Sequence, residues 1–292
     1  MGKLEYQKGI ISYEYYLKKT KKEVKETYNW VKSIICYAIP YPNISINGKY
    51  FPAKFSLGKD YHKIVKEFLE DEAQKANLEK YETFVDVSFL DEKLCACLAG
   101  LGVKGMNDLF ISNEYGSFVY LGEIVTDKVC NYKEVEVKGC LDCRKCVESC
   151  PNNALENGFN KEKCLSFLNQ KSSNNFSLFN KMEKYYGCDI CQDVCPMNKN
   201  TSYNSFVFDV DEKAQMDLKK LENILDYKEF SSDKTYSWIG YLKMLRNIIV
   251  LEAKNNNINL EKINYYQNKY KDVKWFYDHL EYLKGENKNG NN

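Results

Sequence analysis

The chain has 292 residues, 44% of them hydrophobic, and its Lys+Arg count of 42 against 41 Asp+Glu leaves a net charge of +1. That length favours two domains, or one with appendages, and the charge balance excludes a polybasic arm, so any nucleic-acid contact rests on local patches. No run approaches ~20 apolar residues and the start, MGKLEYQKGIISYEYY, has neither an apolar signal core nor a twin arginine, so a cytoplasmic protein without membrane contact is expected.

Residues 13–24 have a helical look. SIICYAIPY, residues 33–41, is a short apolar run closed by Pro40 and Pro42 and reads as the first buried strand. After Asp60, an N-cap candidate, Tyr61, Ile64, Val65, Phe68 and Leu69 recur at helical spacing. FVDVSFL, residues 84–90, alternates and reads as a strand, and residues 91–102 read as a helix stopped by Gly100 or Gly102. LFIS and SFVYLGEIVTD supply two more strands around a turn at 113–116. Together these predict an α/β or α+β domain over residues 1–135. Residues 136–200 are polar and cysteine-dense with little hydrophobic periodicity, so they need an inorganic centre to fold around. Residues 201–292 read as helical. Trp238, Leu242, Leu245 and Ile249 share one face, residues 265–283 form a further helix, and the polar tail ENKNGNN frays.

The twelve cysteines, in a long chain without an export signal, point to metal rather than disulfides. CLDCRKCVESCP places Cys140, Cys143, Cys146 and Cys150 at the C-x2-C-x2-C-x3-C-P spacing of bacterial ferredoxins, in which three thiolates wrap one cluster and the fourth reaches the other. A second set is Cys164 with CDICQDVCP, which supplies Cys188, Cys191 and Cys195. If the sets exchange a ligand, Cys140, Cys143, Cys146 and Cys195 hold one 4Fe–4S cluster and Cys150, Cys164, Cys188 and Cys191 the other. Structural zinc is the alternative for C-x2-C pairs, but the ferredoxin spacing is far more specific. Cys36, Cys95, Cys97 and Cys130 read as buried, unreactive thiols. The protein's only histidines are His62 and His279, which excludes a histidine-rich iron or zinc site, and no GxGxxG follows a strand.

GKDYHK (58–63), VDVSFLDEKLCACLAGLGVKGMNDLFI (85–111), EYGSFVYLGEIVTD (114–127) and the eight-cysteine region with CLSFL and YYGCDICQDVCPMNK resemble the epoxyqueuosine reductase family, and WIGYLKMLRNIIV (238–250) is similar to its helical tail. The resemblance implies a nitroreductase-like cobalamin-binding domain, then a ferredoxin-like double 4Fe–4S domain. Electrons pass from the clusters to a base-off cobalamin without a protein ligand on its lower face. The reaction it implies is reduction of epoxyqueuosine to queuosine at the wobble position of tRNA, which needs a proton beside the departing oxygen. Asp86 occupies the position of the family's acid, and Val85 and Phe89 flank it so as to raise its pKa by desolvation. Glu92, six residues on, is read as a structural first-turn glutamate.

The resemblance further places Tyr61 and His62 at the substrate, and Phe110, Leu121, Ile124, Ser166, Asp189 and Ile190 against the corrin. The partners it implies are tRNA and an external low-potential electron donor, with the protein a monomer. Only Arg144 and Arg246 are arginines, so tRNA would meet lysine patches such as Lys219, Lys220 and Lys243. The family's basic stretch carries Lys54 and Lys59 where arginine is common, its GLGWIGKN reads GLGVKGMN with Met106 for lysine, and Phe89 replaces a proline. The alternatives are a ferredoxin-like carrier without catalysis of its own and a reductive dehalogenase-like cobalamin enzyme.

Overall fold

In the computed structural model, which describes residues 5–44, 46, 50–199, 211 and 214–289, strand β1 (Gln7–Ser12) precedes helix α1 (Tyr13–Thr20) and pairs antiparallel with β2 (Ser33–Pro40). The run at 33–41 is therefore the second strand rather than the first. QKGIIS carries no clear strand signal, since only Ile11 of it is buried and no alternation results. Helix α1 stops short of residue 24 because Lys21 turns left-handed at φ 54.

Helix α2 (Tyr61–Lys75), β3 (Tyr81–Phe84), α3 (Glu92–Leu98), the hairpin of β4 (Gly102–Lys104) and β5 (Phe110–Ser112), and β6 (Val119–Thr126) follow. The four-stranded sheet has the order β1-β2-β6-β3, with each neighbour antiparallel. α2 covers one face so closely that a Cβ on Gly122 would lie 2.9 Å from Leu69 Cδ1. On the other face Cys95, Ala96, Cys97 and Leu98 of α3 pack with Ile34, Cys36, Leu121 and Val125. Coverage on both faces is why every residue of β2 is buried and its sequence runs apolar without alternation.

Residues 85–90 are not a strand. Asp86 sits at φ 60, and Val87 N–H closes back on Val85 O at 2.7 Å. Aspartate tolerates this left-handed conformation where a β-branched residue would not.

Beyond α4 (Lys145–Glu148), α5 (Leu165–Leu168) and α6 (Ile190–Asp193), each about a single turn, the chain continues through α7 (Leu218–Glu222), α8 (Tyr227–Phe230), α9 (Tyr241–Lys254), α10 (Leu260–Lys269) and α11 (Lys274–Asn289). The single helix expected over 265–283 is broken at Tyr270, whose φ of −117 and ψ of 31 leave the helical region. Trp238 does not join the apolar face of α9. It lies in a turn ahead of Gly240 and is 54% exposed, whereas Leu245 and Ile249 are buried as expected. The end of the tail, 290–292, lies outside the described residues.

Chain contacts divide the molecule into two units built from interleaved stretches: Met1–Asn43, Asp60–Cys146 and Gln192–Asp209 form the first, and Ile44–Lys59, Val147–Cys191 and Val210–Asn292 the second. The first is the mixed α/β unit. The second buries Leu165, Leu168, Phe179 and Tyr185 against Leu245, Ile248 and Ile249 of α9. Two buried polar residues in the middle of that apolar helix organise the cysteine loops. Arg246 donates from Nη2 to Leu168 O and Lys171 O at 3.3 and 2.9 Å. Asn247 Nδ2 donates to Asn169 O and Tyr185 O, both at 2.7 Å. Asn169 in turn exchanges two hydrogen bonds with the Gly187 backbone. The segments carrying Cys164 and Cys188 are thus clamped together by hydrogen bonds from the protein itself. Asn247→Ala strands two buried carbonyls and is expected to cost about 2–4 kcal/mol, measurable by urea unfolding.

Candidate active site and cluster-binding loops

The N-terminus of α2 and the turn at Asp86 bring four polar side chains of the first unit into one chain of hydrogen bonds. Asp60 caps α2 by accepting the His62 N–H at 3.2 Å, and its Oδ1 also meets His62 Nδ1 at 2.6 Å. His62 Nε2 lies 2.8 Å from Asp86 Oδ2, the oxygen that also accepts the Tyr61 hydroxyl. Tyr61 is held by stacking on Tyr120, ring centroids 4.1 Å apart and nearly parallel at 8°. The expected acid and the two expected substrate residues therefore meet at one carboxylate oxygen.

Burial opposes the charge on His62, but the hydrogen bonds to Asp60 and Asp86 outweigh it and raise the imidazole from 6.5 to about 9. The same hydrogen bond from His62 holds the Asp60 carboxyl below its ordinary value. Burial, followed by the charge on Asp86, drives the Tyr61 hydroxyl upward. Near neutral pH the group thus carries an imidazolium and a phenol, both donating toward Asp86.

A folded-state pKa above the unfolded one stabilises the protein in the protonated form, so the contribution of His62 is complete below about 6.5 and is lost as pH rises through about 9. The difference in Tm between wild type and His62→Ala is expected to be largest below pH 6.5 and to shrink toward pH 9 in thermal unfolding.

Glu92 is more than a first-turn glutamate. Asp91, not Glu92, caps α3 by accepting the Leu94 N–H. Glu92 accepts the Asp86 backbone N–H instead, and burial followed by the Asp86 charge pushes its pKa up to about 7. Its Oε2 is enclosed without a hydrogen-bond partner. Its sequence position gave no sign of this, because the contact depends on the left-handed turn at Asp86.

Cys140, Cys143, Cys146 and Cys195 line one pocket of the first unit, together with Asn107 and apolar side chains that include Met106 and Ile111. Asp142 and Arg144, on either side of Cys143, have φ of 51 and 59, and such left-handed residues among right-handed ones turn successive N–H groups toward an anion. The Met197 and Asn198 N–H groups face the Cys195 sulfur. Asn198 also pins this end of the chain, its Oδ1 accepting the Ser117 N–H at 2.7 Å. Four thiols around one pocket, left-handed residues beside Cys143, the Arg144 cation and otherwise largely apolar walls suit an anionic iron–sulfur cluster.

In the second unit Cys164 and Cys150 lie near enough to Cys188 to act on its thiol electrostatically, and Cys191 follows within α6. Sulfur-directed donors recur: Ala154 N–H reaches Cys150 Sγ at 3.3 Å, Ser166 and Phe167 N–H face Cys164, and Ile190 N–H faces Cys188. Burial raises the Cys164 thiol and takes that of Cys188 to about 12.

Among the positions expected at a corrin, Phe110 and Leu121 are buried beneath α3, and Ile124 is fully enclosed on the opposite face of β6. Ser166 is half-buried, Ile190 opens α6, and buried Asp189 accepts the Lys54 N–H on both oxygens at 3.2 and 3.1 Å. Lys219 and Lys220 are exposed on α7, with the Lys220 ammonium donating to Gln215 O, and the Lys243 ammonium donates to Ile239 O. Cys36, Cys95 and Cys97 are buried as expected, and Cys130 is half-buried. No helix among the described residues is long and apolar enough to cross a membrane.

Residues 139–198 match the 4Fe–4S double cluster binding domain, and residues 21–87 match the epoxyqueuosine reductase QueG domain. An epoxyqueuosine reductase of Lactococcus garvieae (strain Lg2) is 33% identical over 240 residues, 75% of this chain and 68% of that protein. The epoxyqueuosine reductase of Prochlorococcus marinus (strain NATL2A) is 34% identical over 200 residues, 61% of each chain. The chain thus spans about two thirds of the length of these curated relatives. A crystal structure of an epoxyqueuosine reductase with a tRNA-Tyr epoxyqueuosine-modified stem loop matches with a TM-score of 0.74 at 25% identity, covering 90% of this chain and 80% of that one.

Proposed function

The chain belongs to the epoxyqueuosine reductase family, and from that premise we propose that it reduces epoxyqueuosine to queuosine in tRNA, drawing electrons through two 4Fe–4S clusters to a bound cobalamin. The observation that carries this reading is the convergence of Asp86, Tyr61 and His62 on one carboxylate oxygen, in a chain that also gathers four cysteines around one pocket and matches a double-cluster domain. An electron carrier needs the cysteines and has no use for the rest.

The donor set suits a cobalamin without a protein ligand. His62 has both ring nitrogens engaged, by Asp60 and Asp86, and His279, the other histidine, is fully buried in the second unit. Burial, then the charge of Arg246, lowers His279 to about 3 and keeps it neutral. When bound, cobalamin supplies a low-valent cobalt that delivers electrons to the epoxide-bearing ring.

The chain's own residues manage the proton. His62 is protonated below about pH 9 and touches the Asp86 carboxylate, so the proton taken by the departing oxygen is drawn from His62 and passed on by Asp86 without waiting for solvent. Tyr61 fixes the carboxyl from the other side, and Asp60 fixes the imidazole. The apolar enclosure expected for Asp86 is not found, since its side chain is 39% exposed. Exposed lysines such as Lys219 and Lys220 offer point charges to the tRNA backbone.

In a bacterial strain lacking its own epoxyqueuosine reductase, expression of the chain is expected to replace epoxyqueuosine by queuosine in bulk tRNA. Soluble, iron-loaded protein alongside tRNA that keeps only the epoxide would refute the proposal.

A further inference from the structure

Asn107 lies in the loop between β4 and β5 and is 5% exposed. Its side chain has a fixed orientation, because Oδ1 accepts the Leu109 N–H at 3.3 Å and so identifies the other terminal atom as the amide nitrogen. That nitrogen, Nδ2, is enclosed and has no hydrogen-bond partner. A buried amide donor without an acceptor is costly and is rarely left so in a folded protein. Asn107 lines the pocket of Cys140, Cys143, Cys146 and Cys195. The missing acceptor is therefore to be sought inside that pocket, where a cluster would present thiolate and sulfide sulfurs.

We propose that Asn107 donates a hydrogen bond from Nδ2 to a sulfur of the cluster held by Cys140, Cys143, Cys146 and Cys195, and thereby sets that cluster's reduction potential above the value its ligands alone would give. The physical reason is charge. Reduction adds an electron to an already anionic centre, and a donor aimed at its sulfur stabilises the reduced form more than the oxidised one. Neighbouring donors do not replace it, since the Met197 and Asn198 amides face Cys195, and Arg144, the other side-chain donor in the lining, is exposed to water, whereas Asn107 Nδ2 is enclosed without a partner. Asn107 touches no reacting atom of the substrate, so it acts as a positioning and tuning residue.

This inference rests on the cluster reading of the four-cysteine pocket, and iron content separates failure of the one from failure of the other. The test is an anaerobic potentiometric titration of the iron-loaded protein, followed by electron paramagnetic resonance, for wild type, Asn107→Leu and Asn107→Asp. Asn107→Leu removes donor and acceptor together. Asn107→Asp keeps the oxygen that accepts the Leu109 N–H, so the loop stays tied, and replaces only the donor.

One of the two reduction waves is expected to move to more negative potential in both variants, further in Asn107→Asp because it also adds charge. The other wave, from the cluster of the second cysteine set, is expected to stay in place as an internal control. Full iron with both waves unmoved would overturn the proposal. So would equal movement of both waves, or loss of the first cluster from Asn107→Asp, which would make Asn107 a support of the loop rather than a donor to the cluster.

Discussion

Asp86→Asn is expected to keep the wild-type iron content and to lose epoxide conversion by about 10²- to 10⁴-fold, the usual worth of a positioned proton donor. Asparagine has the shape of aspartate and also tolerates the left-handed φ of 60 found at this turn, so the backbone has no reason to move. It still accepts from Tyr61 and His62, but it cannot take up a proton from His62 and pass it on. Its neutrality also removes one of the two carboxylates that hold His62 near 9, so the imidazole is expected to titrate lower in the variant. With only two histidines in the chain, that shift is readable by nuclear magnetic resonance without assigning a crowded spectrum. Nucleoside mass analysis reads the turnover. Conversion at the wild-type rate would remove Asp86 from the mechanism.

Cys195→Ser is expected to leave roughly half the iron of a protein that binds about eight atoms as two cubanes, and to leave the second cluster's spectrum intact. The expectation follows from the pocket, in which Cys195 stands with Cys140, Cys143 and Cys146, while Cys188 senses Cys150 and Cys164. Cys188→Ser is expected to give the complementary loss. Turnover falls to background in both, because electrons then lack one of the two relays. If either substitution removed all iron, or if both removed the same cluster, the division of ligands would be wrong.

The double-cluster domain was legible because the C-x2-C-x2-C-x3-C-P spacing of Cys140–Cys150 is a local signal, written within twelve consecutive residues. α2 and β2 were legible for a similar reason, since a full helical period and an unbroken apolar run survive in sequence. What stayed hidden depends on contacts between distant stretches. The turn at Asp86 looked like a strand because Val85, Val87 and Phe89 alternate with polar residues, yet its conformation is set by one short backbone hydrogen bond and by Glu92. Glu92 looked ordinary for a helix start. Arg246 and Asn247 did carry a signal, a polar pair inside the apolar run MLRNIIV, but the carbonyls they hold lie far upstream. Asn107 is plain in sequence and becomes informative only when its amide is found enclosed beside four thiols.

The most direct test of the account is a reaction with purified components. Protein prepared without oxygen is mixed with cobalamin, a strong reductant and epoxyqueuosine-containing tRNA, and the digested nucleosides are weighed by mass spectrometry. Queuosine is expected to appear only when cobalamin and iron-loaded protein are both present. An epoxide that survives unchanged with both clusters and cobalamin bound, or is converted equally well without cobalamin, would contradict it.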